Sequence, residues 1–231
     1  MFYILMLVIF VVSLIIQGRL KRLVSKYSEI TVASGITSNE AVEQMLREND
    51  VSGVVVKHTS GELSDNYNSK EGTINLSDTT YGQNSIAAVA IAAHEAGHAL
   101  QDAKGMFSYK VRQFIAPAVN LCSRLGVYVV LAGVMISYFV DKNYYGWGYN
   151  IATIGIVMYS VAVLFYAVTL WIERDASKRG WKAMQTFGWV SQDQLKAAKK
   201  LLWAAGDTYA IALASSALTL IRLLAMRGRR R

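Results

Sequence analysis

Residues 151–172 read IATIGIVMYSVAVLFYAVTLWI, an uncharged run from Ile151 to Ile172 that stops abruptly at Glu173-Arg174-Asp175. As a helix rising 1.5 Å per residue it covers about 33 Å, enough for a hydrocarbon core of about 30 Å. The run predicts a membrane span, and the rest of the chain agrees. Hydrophobic residues make up 53%, charged residues 17%, and the mean hydropathy is +0.28, too apolar for an ordinary soluble domain of 231 residues. The formal charge of +8 does not point to nucleic acid, because Lys and Arg sit beside the apolar blocks, where anionic headgroups attract them. Cys122, the only cysteine, excludes an internal disulfide, a thiolate zinc cage and a CxxC redox pair.

Three further apolar blocks flank this one. Phe2 to Gln17 is followed at once by Arg19, Lys21, Arg22 and Lys26, and reads as a membrane anchor whose end is extended by Leu20 and Leu23. Phe114 to Val140, broken by Arg124, pairs with the run 151–172 as a membrane hairpin across a polar-aromatic loop, Asp141 to Asn150. Tyr209 to Met226 contains Arg222 and ends in Arg-Gly-Arg-Arg-Arg. Its basic tail favours a helix packed in the membrane without a full crossing. Ser191 and Gln194 make a capping-box pattern that opens a separate, shorter amphipathic helix before it. Basic residues after the first block and at Arg174, Lys178, Arg179 and Lys182 predict that the N-terminus faces out and the polar portion faces the cytoplasm.

The polar portion carries its own signals. Thr37 and Glu40 form a capping-box pattern before an amphipathic helix reaching about Asn49. Val54 to His58 and Thr73 to Leu76 read as strands, joined by a loop of turn formers from Gly61 to Gly72, and the second strand is a candidate edge for an extended peptide. Ser85 to Gln101, SIAAVAIAAHEAGHALQ, is an alanine-rich helix with Gly97 as its only poor helix former. The expected organisation is an anchor (1–25), an αβ segment with the motif helix (26–113), a two-helix membrane hairpin (114–172) and a C-terminal part with a ligand helix and an apolar helix (173–231).

His94-Glu-Ala-Gly-His98 places two imidazoles one helical turn apart on one face, which suits a zinc ion. Glu95, rotated about 100° around the helix, is free to act as general base toward a water that the metal acidifies to a pKa of about 7. A catalytic site needs a third protein donor. His58, Asp102, Glu173 and Asp175 are the candidates. Glu173 is preferred because a carboxylate ending an apolar span needs a partner and because the basic-residue count puts it on the side of His94 and His98. Asp102, Asp175 and Ser177 could orient the ligand histidines, and Tyr67 or Tyr81 could supply an oxyanion donor.

AIAAHEAGHALQ, with Leu63-Ser-Asp-Asn-Tyr67, Asn75-Leu-Ser77 and Ile172-Glu-Arg-Asp-Ala-Ser177, resembles the YugP-type neutral zinc metallopeptidases of bacterial membranes, from about Arg19 to Met226. The resemblance, and a more distant one to HtpX-type membrane proteases, implies that the third ligand is a glutamate on a later helix, here Glu173, as in gluzincins. The expected fold is a mainly α membrane protein with a small αβ segment, its zincin-like helix packed with transmembrane helices. The expected activity is zinc-dependent endopeptidase action on membrane or membrane-adjacent polypeptides. Metal is expected at His94, His98 and Glu173, catalysis at Glu95, and the site on the cytoplasmic side of a bacterial cell membrane. Its partners would be the lipid bilayer and a polypeptide substrate, with no nucleic acid. A non-catalytic scaffold with a structural metal is the alternative. A site-two-type intramembrane protease is disfavoured because the chain has no Asp-Gly dipeptide.

Overall fold

The computed structural model describes residues 2–140 and 146–228. The elements run α1 (Phe2–Ser28), α2 (Ser38–Arg47), β1 (Val55–His58), β2 (Asn66–Asn68), β3 (Thr73–Leu76), α3 (Ile86–Ala103), α4 (Phe107–Phe139), α5 (Trp147–Thr186) and α6 (Gln192–Gly228). Helices α1, α4, α5 and α6 are long and apolar enough to cross a membrane. The chain is a mainly α membrane protein with one small sheet. Residues 141–145 of the predicted loop and the last three arginines of the basic tail lie outside the described residues.

One compact unit comprises residues 1–13, 111–170 and 209–231. Its α4–α5 hairpin is held by backbone approach at small residues. A Cβ on Gly155 would lie 2.7 Å from the carbonyl oxygen of Gly126, and one on Gly133 would collide with the backbone of Ala152. Val130, Ala152, Ile156, Tyr159 and Leu223 form the core of this unit. Arg222 on α6 reaches Tyr3 and Met6 on α1, and its guanidinium lies 5.0 Å from the Tyr3 ring centroid. This gives the arginine inside the apolar stretch of α6 a cation–π partner.

The second unit comprises residues 14–110 and 171–208. Its core collects Leu23 and Tyr27 of α1, one face of α2, β3, nearly all of α3, Met184, Trp189 and the apolar side of early α6. The capping box of α2 is present: Thr37 accepts from the Glu40 N–H while the Glu40 carboxylate accepts from the Thr37 N–H at 2.8 Å. The Ser191–Gln194 box is present too.

The sheet has the order β1-β3-β2, with β1 parallel and β2 antiparallel to β3. This corrects two expectations. The segment from Gly61 to Gly72 is not all loop, since β2 forms within it. It pairs with β3 and is tied there by Asp65, whose carboxylate accepts from both the N–H and the hydroxyl of Ser77 at 2.8 Å. β3 is therefore the central strand, paired on both sides, and has no edge to offer a peptide.

A third correction concerns α6. The amphipathic helix after Ser191 and the apolar stretch from Tyr209 are one continuous helix of 37 residues, long enough to cross a membrane. Gly206 and Asp207 do not break it. Arg174 of α5 packs its guanidinium over Gly206 and donates to Asp207 at 2.8 Å, an interhelical contact just before the apolar stretch begins.

Candidate metal centre

The site lies wholly within the second unit. Ser85 caps α3 by accepting from the Ala88 N–H, and the alanines that follow let neighbouring elements approach the helix closely. Two glycines fix how α3 meets α5. A Cβ on Gly97 would sit 2.6 Å from the carbonyl oxygen of Ala176, and one on Gly180 would sit 2.9 Å from the carbonyl of Ala93. Only bare backbone fits at either crossing.

This approach puts Glu173 between the histidines. Its Oε2 lies 3.2 Å from Nε2 of His94 and 3.4 Å from Nε2 of His98, and the three donor atoms all fall within 4.8 Å of one another. Glu173 is 3% exposed and His98 7%, whereas the His94 side chain is 16% exposed, so the cluster is largely shielded but open to solvent on the His94 side.

The other imidazole nitrogens are held from behind. Nδ1 of His94 is 3.1 Å from the hydroxyl of Ser177, and Nδ1 of His98 is 2.9 Å from Oε1 of Gln101. The Gln101 amide nitrogen donates to the Ile172 carbonyl and to Oδ2 of Asp175, both at 2.9 Å, which leaves its oxygen to accept from His98. His98 therefore carries its proton on Nδ1 when neutral, and presents the Nε2 lone pair to the Glu173 carboxylate.

Two acceptors facing each other in a site with little water call for a proton or a metal cation between them. The spacing also suits one: donors on a tetrahedral zinc at about 2.0–2.2 Å stand roughly 3.3–3.6 Å apart. Two imidazole nitrogens and a carboxylate oxygen thus fit zinc in donor chemistry, and the two carboxylate–imidazole separations lie within about 0.1 Å of the expected range.

Glu95 is 8% exposed and stands outside the three-donor cluster. Burial lifts its carboxyl from the ordinary value to about 7; His94 opposes the rise, Glu173 and Asp65 reinforce it, and the backbone N–H of Tyr67 opposes it. Tyr67 thus reaches Glu95 through its backbone. Its hydroxyl donates to Oδ2 of Asp102 at 3.0 Å, and burial with that bond pushes the phenol well above its usual range. The Tyr67 ring stacks on Tyr109, which stacks in turn on His98 with ring centroids 5.7 Å apart.

The remaining candidates separate cleanly. His58 bonds Asp78 at 2.6 Å on the surface and packs edge-on against Tyr81, so neither belongs to the cluster. Asp102 serves Tyr67 rather than a histidine. Asp175 reaches His98 only through Gln101, and Ser177 contacts His94 directly. The roles of Gln101, Tyr109 and Gly180 are not evident in the sequence, where Gly97 stands out only as a poor helix former. Of the first three, Gln101 alone carries a signal there, standing three residues after His98 on the same helical face.

A mainly α membrane fold with an HExxH helix and a glutamate on a later helix defines a class, that of zincin-like membrane proteins. The chain belongs to the family described as "putative neutral zinc metallopeptidase", whose model matches residues 2–228. It is similar to the "putative membrane protease YugP" of Bacillus subtilis (strain 168), at 30% identity over 208 residues, 90% of this chain and 88% of the relative. The resemblance drawn from the sequence motifs thus extends over nearly the whole chain. No solved structure matches it.

Proposed function

We propose that this chain is a membrane-embedded zinc-dependent endopeptidase that hydrolyses peptide bonds of membrane or membrane-adjacent polypeptides. His94, His98 and Glu173 hold the zinc, and Glu95 is the general base. The observation that carries this reading is the shared position of Glu173 Oε2, within 3.4 Å of both imidazole nitrogens, beside a second, buried carboxyl.

Zinc held there supplies Lewis acidity toward water and toward the scissile carbonyl. Glu95 takes the proton from the attacking water and returns it to the leaving amine. Burial brings its carboxyl to about 7, the range in which one group both accepts and donates protons efficiently at neutral pH. Ser177 and Gln101 hold the imidazoles so that their Nε2 atoms converge. A structural metal would want a fourth protein donor, and among the described residues the donor group has three members.

The site belongs on the cytoplasmic face of a bacterial cell membrane. If all four apolar helices cross, residues 29–106 and 187–191 share one face, the one marked by the basic residues after α1 and along α5.

The test pairs elemental analysis with cleavage of an unfolded protein substrate by the detergent-purified chain. Wild type and Glu95→Gln should carry near-stoichiometric zinc, and His94→Ala and Glu173→Ala should not. Only wild type should cleave. Cleavage by Glu95→Gln at the wild-type rate would overturn the assignment of the base, and zinc retained by Glu173→Ala would overturn that of the third ligand.

A further inference from the structure

A cavity of about 260 Å³ lies at the C-terminal end of α3, against α2 and the last turns of α5. Its floor is apolar, formed by Met45, Leu100 and Ala183, which are at most 8% exposed. Its rim is cationic: Lys104, Arg179 and Lys182 converge there, and no carboxylate lines it. Arg179 is paired to Asp175 at 2.6 Å, but among the described residues Lys104 and Lys182 have no ion-pair partner. Three cations gathered over a greasy floor, two of them without a counter-ion, select an anion that brings its own apolar portion.

We propose that this cavity binds the phosphate headgroup of an anionic phospholipid. The volume falls below the roughly 300–1,000 Å³ of a site for a whole drug-sized ligand, so it takes a headgroup and its first methylenes rather than a complete lipid. Position agrees with this occupant. Arg179 and Lys182 follow Ile172, the end of the uncharged run, by about 10 and 15 Å of helix, and their long side chains can turn back toward the headgroup layer. A free phosphate would leave the floor unused. An acidic peptide would meet the rim but has no apolar portion matched to it.

The experiment titrates the full-length, detergent-purified protein with dihexanoyl phosphatidylglycerol, dihexanoyl phosphatidylcholine, inorganic phosphate and hexaglutamate, and reads binding by calorimetry. Phosphatidylglycerol should bind saturably and at least tenfold more tightly than the other three. Each basic residue near an anionic lipid contributes roughly fivefold, so the Lys104→Gln/Lys182→Gln variant should bind about 30-fold more weakly. Lys178→Gln, an exposed change on the same helix but outside the cavity, should bind as wild type does. Unchanged thermal midpoints would establish that these surface variants fold. Binding of phosphatidylglycerol that survives the double change, or equal affinity for phosphatidylcholine, phosphate or hexaglutamate, would overturn the proposal.

Discussion

Gly97 faces the backbone of Ala176 so closely that a single methyl group would stand 2.6 Å from its carbonyl oxygen. Ala176 is three residues beyond Glu173 on α5, so the glycine sets the distance from the motif helix to the proposed third ligand. Gly97→Ala should force α3 and α5 apart, destabilise the protein by about 1–3 kcal/mol and weaken zinc binding. Gly18→Ala, where the nearest atom to the new Cβ is 3.8 Å away, should be neutral or slightly stabilising. Thermal midpoints and zinc content of the two variants, measured side by side, check this.

Stability of the metal-free protein should depend on pH through Glu95. Its carboxyl titrates near 7 in the folded chain and near 4.5 when exposed. Below 4.5 both states hold the proton and burial costs nothing, and as pH rises through 7 the folded state must bury a charge and loses stability. Glu95→Gln removes that loss. Its advantage over wild type should grow from pH 5 to pH 8 by up to about 3 kcal/mol, since a tenfold change in a protonation equilibrium is worth roughly 1.4 kcal/mol. Unfolding midpoints in chelator across this range provide the measurement.

Gln101→Ala should lower zinc affinity by roughly 10–100-fold without touching a proposed ligand, because His98 loses the acceptor that fixes its Nδ1 proton. Ser177→Ala should act in the same direction on His94. Competition with a chelator of known affinity separates these effects from loss of folding, which circular dichroism reports.

Tyr67→Phe discriminates between two roles for that ring. The hydroxyl is spent on Asp102, so its removal should cost about 1 kcal/mol of stability and leave kcat within a few-fold of wild type. An oxyanion donor would instead cost roughly 10²–10³ in kcat.

Much of this architecture could be read directly from the residues. The caps at Thr37 and Ser191 announce their helices because their partners are three residues away, and the apolar runs announce theirs by length. β2 was invisible because Asn66-Tyr-Asn68 has little strand propensity and sits among turn formers; it is a strand only because β3 and the Asp65–Ser77 bonds hold it. The continuity of α6 from Gln192 into the apolar stretch at Tyr209 was hidden because Asp207, which lies between, finds its partner in Arg174, on another helix. The site divides in the same way. The spacing of His94 and His98 is local and therefore legible, whereas the hydrogen-bond chain from His98 through Gln101 to Asp175 and the stacking of Tyr109 exist only once α3, α4 and α5 have met.

The long span of sequence between the two halves of the site has a consequence during synthesis. His94 and Ser177 are 83 positions apart, and Glu173 follows the apolar run that begins at Ile151. At roughly 5–20 residues per second, the ribosome needs several seconds to pass from one half to the other. A nascent or truncated chain that ends before residue 173 therefore has the histidines but not the complete centre, so the order of translation withholds the three-donor cluster until the third long apolar segment has been made.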